Sequence, residues 1–585
     1  MALAIAALGL GACSKPGDAP RSPPSREATP ATPATAAPSR GPGPTPIATL
    51  STPTSSDMTA PAASGQDATS LASPAPADAD HAGGIAWKLA ASDADVDAAF
   101  AAARAETKPV FVYWGAKWCP PCNQVKATIF NRRDFIERSR AFVPVYVDGD
   151  GPGAQKLGAR FHVSGYPTML LFSPSGDEVT RLPGEVDPAR YTEVLNLGMN
   201  AARPVKAVLA DALAGGKTLR ADDWRLLAFY SFDADEQLVS KDKVAPTLAR
   251  LAEACPADQA ATAMRLRLKS LAAADAKAPL RGAAGVRPAV LAMLGQPAAA
   301  REEADQLINE SAEIVRALSA RGTPERARLL QTFDVALKRL QADATLSRAD
   351  RMQALIGRVD LTRIDMPSDD SARAGRARPV ALPAMPDALL ADVREQAARA
   401  DREISDAFER QAVITAAAYM LERSGLSSES DVLLMANLAR SHSPYYLMSK
   451  LAGNARKRGD KAGALHWYRE AFEKSEGPAT RLQWGASYVG ALVELAPADE
   501  SAIESTTVQL WREAAVQSDA FYERSGRSLQ RVGARLLAWN RGGEHAAVMA
   551  RLRGELSGLC TKGERGVAER KTCARLLTPS AKPSA

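Results

Sequence analysis

Two cysteines separated by two prolines are the residues of this chain with the clearest chemical potential. Cys119 and Cys122 lie three positions apart, which lets their sulfur atoms meet within one helical turn. Such a pair can exchange between dithiol and disulfide, form a permanent disulfide, or supply half of a zinc site. Zinc would need two further cysteine or histidine ligands, and His162, the only histidine between residues 85 and 200, is expected in a surface loop. We therefore expect a redox pair, with no metal and no other cofactor.

The hydrophobic pattern around this pair predicts strands that alternate with helices. A buried strand over residues 109–114 leads into the pair, and a helix follows it through Ile129. The other expected elements are a strand at 85–89, a helix at 93–105, a strand at 142–147, a short helix, strands at 169–172 and 179–182, and a helix at 188–197. The order is therefore βαβαβαββα, with the cysteines at a strand-to-helix junction.

Two motifs give this region a family resemblance. The sequence Trp-Cys-Pro-Pro-Cys at 118–122 is followed downstream by Gly-Tyr-Pro-Thr at 165–168. With this element order, the motifs resemble thioredoxin, and the sequence after the first motif resembles the thioredoxin-like domains of periplasmic disulfide-reducing proteins such as the C-terminal domain of the DsbD type. The resemblance covers residues 85–200. It implies an α/β thioredoxin-like domain, which a large all-α region follows.

The resemblance also implies roles for individual residues. Cys119 would lie at a helix N-terminus, where the helix dipole stabilises a thiolate and solvent can reach it, so that it is the attacking thiol. Cys122 would resolve the mixed disulfide. Pro167 would be a cis-proline that lets the backbone of Tyr166 pair with a substrate segment, and Trp118 would form part of the rim. Ordinary packing of Trp118 and Tyr166 beside the disulfide is the alternative.

One position departs from the thioredoxin pattern. Thioredoxin has a buried Asp six residues before the first cysteine, where it assists proton transfer to the second; this chain has Tyr113, and no acidic residue lies at 109–114. Deprotonation of Cys122 is therefore expected either to be slow or to use water or another group. Lys117 either favours the Cys119 thiolate or is a solvated charge at the rim.

The start of the chain resembles a bacterial lipoprotein signal. An apolar run ends in Leu-Gly-Ala-Cys at 10–13, which implies cleavage of a signal at 1–13 and acylation of Cys13. No basic residue precedes Cys13, so an Ala-rich disordered terminus is the alternative. Residues 14–84 contain 14 prolines and no aromatic residue, which predicts a disordered tether. The expected location is the periplasmic side of the cell envelope, with Ser14 favouring the outer membrane.

Two further cysteines near the end of the chain form a second candidate pair. Cys560 and Cys573 are 13 residues apart, with Gly563 and Gly566 between them to allow a turn. In an oxidising compartment we expect them to form a structural disulfide, although two free thiols on a frayed tail are the alternative. Cys255 is a single cysteine of buried type, expected to be inert.

The remainder of the chain has a helical pattern. We expect helical regions at 201–366 and 387–585, joined by a proline-containing linker at 367–386. One stretch resembles a tetratricopeptide unit, with packing positions at Met448, Leu451, Ala452, Ala455, Gly459, Ala464, Tyr468 and Ala471 and a closing Pro478. A plain helical bundle is the alternative. The net charge of +6 excludes a strongly basic nucleic-acid binder, and the absence of long apolar runs excludes a polytopic membrane protein.

These features lead to two functional interpretations. The first is an envelope thiol–disulfide oxidoreductase, with the reductive direction favoured by the resemblance, whose helical region binds substrates. Its partners would be disulfide-containing proteins or a membrane electron donor. The second is a helical interaction or scaffold protein, in which the thioredoxin-like module is mainly a docking domain. The intact Cys119–Cys122 pair favours the first.

Overall fold

The structure is a computed structural model. It describes residues 84–578 apart from 164, 183, 185–186, 202, 276–281, 367–383 and 562–565. The expectations for the lipoprotein signal at 1–13, for Cys13, for the tether up to residue 83 and for the linker at 367–383 therefore lie outside the described residues.

A mixed five-stranded sheet forms the centre of the first domain. Its strands are β1 Lys88–Leu89, β2 Val110–Gly115, β3 Val143–Asp148, β4 Thr168–Phe172 and β5 Glu178–Leu182. They are arranged in the order β1-β3-β2-β4-β5, with β1, β3 and β2 parallel and β4 antiparallel to both of its neighbours. Every residue of β2 is buried, because this strand lies in the middle of the sheet with helices on both faces.

The helices of this domain follow the predicted order. They are α1 Asp93–Glu106, α2 Pro120–Val125, α3 Arg133–Arg138, α4 Ala154–Phe161 and α5 Pro188–Met199. A π-helical turn, Lys126–Phe130, extends α2. The order βαβαβαββα is confirmed, with two differences. The sequence pattern did not separate the short helix α3 from α2, and the first strand has only two residues.

The two faces of the sheet are packed by different sets of side chains. Phe111 and Tyr113 of β2 face α2, α3 and α5, where they contact a cluster of aromatic residues. Val112 and Trp114 alternate with them and face α1 and α4. This alternation holds β2 rigidly in place, so the loop that leaves its carboxyl end starts from a fixed position.

The region after the sheet is helical, as predicted. Its helices are α6 Val205–Leu213, α7 Ala221–Phe229, α8 Lys241–Ala254, α9 Ala260–Ala272, α10 Ala283–Gly295, α11 Pro297–Glu302, α12 Ala304–Leu318, α13 Pro324–Ala342, α14 Arg348–Thr362, α15 Asp387–Glu403, α16 Ala407–Arg423, α17 Ser427–Asn437, α18 Pro444–Lys457, α19 Lys461–Glu473, α20 Pro478–Leu495, α21 Glu500–Ala515, α22 Glu523–Trp539, α23 Ala546–Cys560 and α24 Val567–Arg575. Beyond Leu182, the described residues form no strand. None of the described helices is both long enough and apolar enough to span a membrane.

Helices α18 and α19 form the helical hairpin that the tetratricopeptide-like spacing predicts. Gly459 has φ +79° at the turn between them, and Ala455 and Ala464 are buried where the two helices approach closely. Pro478 is the first residue of α20. The hairpin packing agrees with the prediction, whereas the relationship to tetratricopeptide repeats stays a prediction.

Candidate redox site

The two cysteines lie where β2 gives way to α2. Cys119 is the N-cap residue of α2, and its Sγ accepts a hydrogen bond from the backbone N–H of Cys122 at 3.2 Å. The two residues form a disulfide with their Cα atoms 5.2 Å apart. Pro120 occupies the first helical position, where the absence of an N–H costs no hydrogen bond. On reduction, a thiolate at Cys119 would lie against the positive end of the helix.

Asn123 holds the loop before the pair against the helix that follows it. Its Nδ2 donates to the carbonyl oxygens of Lys117 and Cys119, both at 2.8 Å, and the side chain is fully buried. These bonds fix the backbone on both sides of Trp118. The sequence reasoning missed this residue, since one asparagine in a short helix carries no pattern.

The turn at Tyr166 and Pro167 lies beside this motif. Their peptide bond is cis, as the resemblance implied. The Tyr166 hydroxyl donates to the carbonyl oxygen of Gly149 at 2.9 Å and accepts from Gln155 Nε2 at 3.0 Å. The ring of Tyr166 lies edge-on to Trp118, with 6.2 Å between the ring centres. Trp118, the residue before Cys119, thus contacts the residue that precedes the cis-proline.

Solvent does not reach the disulfide, contrary to expectation. Cys119 is 2% exposed, Cys122 is 0% exposed and Trp118 is 4% exposed. The cause is the helical region, since α16, α18, α20 and α22 contribute side chains that cover this face of the domain. Only contacts between residues far apart in the chain produce this burial, so the local motif could not reveal it.

Trp118 is the centre of that contact. Its indole Nε1 donates to Asp150 Oδ2 at 2.8 Å and to Thr480 Oγ1 at 2.9 Å. Its ring stacks on Tyr446, with ring centres 5.6 Å apart, and meets the edge of Trp484 at 5.0 Å. The side chain expected at a solvent-facing rim is therefore enclosed between the two regions.

The backbone before Cys119 is also bound by the helical region. Gln411 Nε2 donates to the carbonyl oxygen of Trp118 at 3.3 Å, and His442 Nε2 lies 3.1 Å from the carbonyl oxygen of Lys117. The ammonium group of Lys117 is partly exposed and lies 3.7 Å from Glu476. This pairing supports the interpretation of Lys117 as a rim charge.

Comparison with known proteins agrees with this geometry. Residues 96–198 match the family of thioredoxin-like domains. These residues form a thioredoxin-like domain.

Three relatives share this domain. Thiol:disulfide interchange protein DsbD 1 of Pseudomonas aeruginosa is 33% identical over 113 residues, which is 19% of this chain and 19% of that protein. DsbD 2 of the same organism is 28% identical over 110 residues, and DsbD of Pseudomonas fluorescens is 30% identical over 112 residues; each match covers 18% of this chain and 19% of the relative. The chain thus spans about a fifth of the length of these curated relatives.

Asp150 is a buried ionisable group at the contact between the thioredoxin-like domain and the helical region. Burial raises its pKa to about 7, and the negative charge of Asp148 adds to this effect. The guanidinium group of Arg524 opposes it; this group lies 4.4 Å from the ring centre of Trp118 and 4.9 Å from that of Tyr166. Asp150 Oδ1 has no hydrogen-bond partner among the described residues. Sequence reasoning missed both Asp150 and Arg524, because nothing near either one marks it as a contact.

The position that departs from thioredoxin offers no proton acceptor. Burial raises the pKa of Tyr113 well above its usual value, so its hydroxyl stays protonated near neutral pH. Tyr113 therefore cannot replace the aspartate that thioredoxin uses.

The other predicted cysteines lie away from this site. Cys560 and Cys573 form a disulfide that joins the end of α23 to α24, with Cα atoms 5.7 Å apart. Cys255 is a free thiol, and partial burial raises its pKa to about 11. His162 lies at the exposed end of α4, where it pairs with Gln237. Within the described ranges, no three His, Cys, Asp or Glu residues are grouped as a metal site would require.

Proposed function

We propose that this protein is a thiol–disulfide oxidoreductase that works through Cys119 and Cys122. One observation carries the proposal: a disulfide forms at the N-terminus of α2 in a thioredoxin-like domain, and Trp118, which precedes it, contacts Tyr166 of the cis Tyr166–Pro167 turn. The similarity to proteins named for thiol:disulfide interchange supports the same chemistry.

The reductive direction can be written as two exchanges. The Cys119 thiolate attacks a substrate disulfide, so that a bond forms between Cys119 and one substrate sulfur while the other leaves as a thiolate. Cys122 then loses its proton, to water or to the departing thiolate, and attacks Cys119 Sγ. The internal disulfide forms again and the second substrate thiolate leaves. Two electrons pass to the substrate, so a thiol-based donor has to reduce the pair again.

The proposed partners follow from this chemistry. Disulfide-containing proteins are the proposed substrates, and Trp118, Tyr166 and Pro167 are the proposed contacts for them. A membrane electron donor is the proposed source of electrons. We also propose that acylated Cys13 anchors the protein in the bacterial envelope, on the periplasmic side, with outer-membrane sorting favoured by the sequence.

A second candidate function has support from one observation. The disulfide is buried between the thioredoxin-like domain and the helical region, which is the arrangement expected if that domain mainly docks onto a helical scaffold. In this alternative, Cys119 and Cys122 form a permanent disulfide and exchange no electrons.

Trapping of mixed disulfides distinguishes the two functions. We expect Cys122→Ser to retain the attacking thiol but not the resolving one, so that it accumulates adducts with cystine that reductant removes. Cys119→Ser should abolish both adduct formation and cystine reduction, and Cys255→Ser should behave like the wild type. Adducts are measured by intact mass under non-reducing conditions. Adducts on Cys119→Ser alone would reverse the two roles. Adducts on neither variant, together with a wild type that cannot reduce cystine, would favour the scaffold function.

A further inference from the structure

The face of the thioredoxin-like domain around the disulfide is an interaction surface that the chain's own helices already occupy. Exchange requires a substrate sulfur to approach Cys119 Sγ along the line of the disulfide bond. With Cys119 2% exposed and Cys122 fully buried, no protein disulfide can make that approach in this arrangement. This inference rests on the proposed function, since only an exchanging pair needs access.

The covering surface is specific to the motif rather than a general apolar contact. Tyr446 and Trp484 enclose the indole of Trp118, and Thr480 accepts its N–H. Gln411 binds the carbonyl oxygen of Trp118. Aromatic anchors with hydrogen bonds around them are typical of protein–protein recognition sites.

The helical region also covers the turn at Tyr166 and Pro167. Arg524 of α22 lies over the rings of both Trp118 and Tyr166. Its backbone N–H donates to Gln155 Oε1 at 2.9 Å, and the backbone N–H of Gln155 donates to Asp519 Oδ2 at 2.9 Å. The helical region thus contacts both the motif and the neighbouring turn.

Some buried polar atoms at and near this contact lack hydrogen-bond partners among the described residues, as do others elsewhere in the protein. Asp150 Oδ1 is buried without a hydrogen-bond partner among the described residues, and so is Gln483 Oε1 on the helix that carries Thr480. Leaving such groups unpaired in a buried place is costly, and water would satisfy them if the contact opened.

We propose that α16, α18, α20 and α22 form an intramolecular cap on the redox disulfide, which has to move away before a protein substrate can reach Cys119. In the closed state the helical region takes the place of the substrate. The population of the open state then sets the rate of exchange with large substrates.

Gly477 offers a variant that should open the cap without touching the redox motif. It precedes α20 with φ +84°, and a Cβ atom there would lie 2.9 Å from Asp150 Cβ. Gly477→Ala should therefore push α20, with Thr480 and Trp484, away from Trp118. Gly459→Ala is the matched control, because Gly459 has φ +79° but open space around the position of its Cβ atom. Both variants place an alanine at positive φ, and only Gly477→Ala creates a collision at the cap.

The first readout is the alkylation rate of Cys119 in the reduced full-length protein, followed by peptide mapping. We expect Cys119 to react at least about tenfold faster in Gly477→Ala than in the wild type or Gly459→Ala. The thiol of Cys255, which lies away from the redox site, should react at the same rate in all three proteins and serves as an internal reference. Equal Cys119 rates in the wild type and Gly477→Ala would overturn the cap.

Arg524→Ala gives a second test if Gly477→Ala does not fold, because it removes the guanidinium group over Trp118 without a backbone collision. It should also accelerate alkylation of Cys119, and an unchanged rate would count against the cap.

Rates of disulfide reduction distinguish failure of the cap from failure of the proposed function. The ratio of the insulin reduction rate to the cystine reduction rate should be at least about tenfold higher in Gly477→Ala than in the wild type, because only the large substrate needs an open cap. Failure of both wild type and Gly477→Ala to reduce cystine would remove the proposed function, whereas the alkylation rates would still decide the cap.

Discussion

Among the residues around the disulfide, Asp150 combines burial with an acceptor atom that has no partner among the described residues. Its other oxygen accepts from the Trp118 indole, next to Thr480 of the helical region. The carboxyl group therefore lies at the contact between the two regions. Because burial disfavours the charged form, this contact should be stronger when Asp150 is protonated.

This leads to a prediction for the pH dependence of stability. The pKa of Asp150 rises from 3.8 to about 7 on folding, so its neutral form stabilises the folded state at low pH, and that contribution is lost as the pH rises through this window. The loss is at most about 1.4 kcal/mol per pH unit. Asp150→Asn should remove this slope and make the protein more stable than the wild type at pH 8, as measured by urea unfolding. Asp258→Asn, on the surface, is the control; the same slope in Asp150→Asn and the wild type would show that Asp150 is ionised when folded.

The site illustrates which residues a sequence can reveal. Cys119, Cys122 and Pro167 belong to short motifs whose spacing follows from the geometry of one turn, so they could be placed before the structure. The partner of Trp118 could not, because Thr480 lies 362 positions away. The burial of the pair depends on such contacts, which is why the expected solvent access was wrong.

At the scale of elements, runs of buried residues were sufficient to predict the strands. β2 is apolar throughout because both of its faces are covered, and such a run is visible in the sequence. The separation of α3 from α2 was not visible, because a π-helical turn joins the two stretches and leaves the polar pattern nearly continuous. For the chain after Leu182, the sequence predicted helical regions but not the bounds of most individual helices. Their arrangement over the disulfide depends on tertiary packing that no local period encodes.

The disulfide between α23 and α24 gives a prediction at this scale. Cys560 and Cys573 are both buried against the last helices of the chain. Closing a loop of this length stabilises a folded protein by about 3 kcal/mol, mainly by restricting the unfolded chain. The double variant Cys560→Ala, Cys573→Ala should therefore lose about 3 kcal/mol of unfolding free energy in urea, with little change in Cys119 reactivity. Cys255→Ala is the matched control, and a double variant as stable as this control would mean that the two thiols are free.

At the scale of the whole molecule, the helical region contacts the thioredoxin-like domain in two different ways. The cap lies over the disulfide. The second contact is at β5, where Arg181 is 1% exposed and its guanidinium group pairs with Glu178 of the same strand at 2.7 Å. The same group donates to the carbonyl oxygen of Ala234, in the helical region, at 2.8 Å. Asp235 lies 3.7 Å from the same guanidinium group and accepts from the Tyr230 hydroxyl. In this network the charge of Arg181 is paired with those of Glu178 and Asp235, whereas Asp150 at the cap has an oxygen atom without a hydrogen-bond partner among the described residues.

This difference predicts that the two contacts can be disrupted separately. Arg181→Ala leaves Glu178 and Asp235 without their buried partner and should cost about 3–5 kcal/mol of unfolding free energy. Arg160→Ala removes exposed ion pairs to Asp93 and Asp97, which contribute at most about 1 kcal/mol. Where Arg181→Ala remains folded, Cys119 should stay as unreactive as in the wild type, because the cap is intact. If Arg181→Ala exposes Cys119 as much as Gly477→Ala does, the contact at β5 and the cap are not independent.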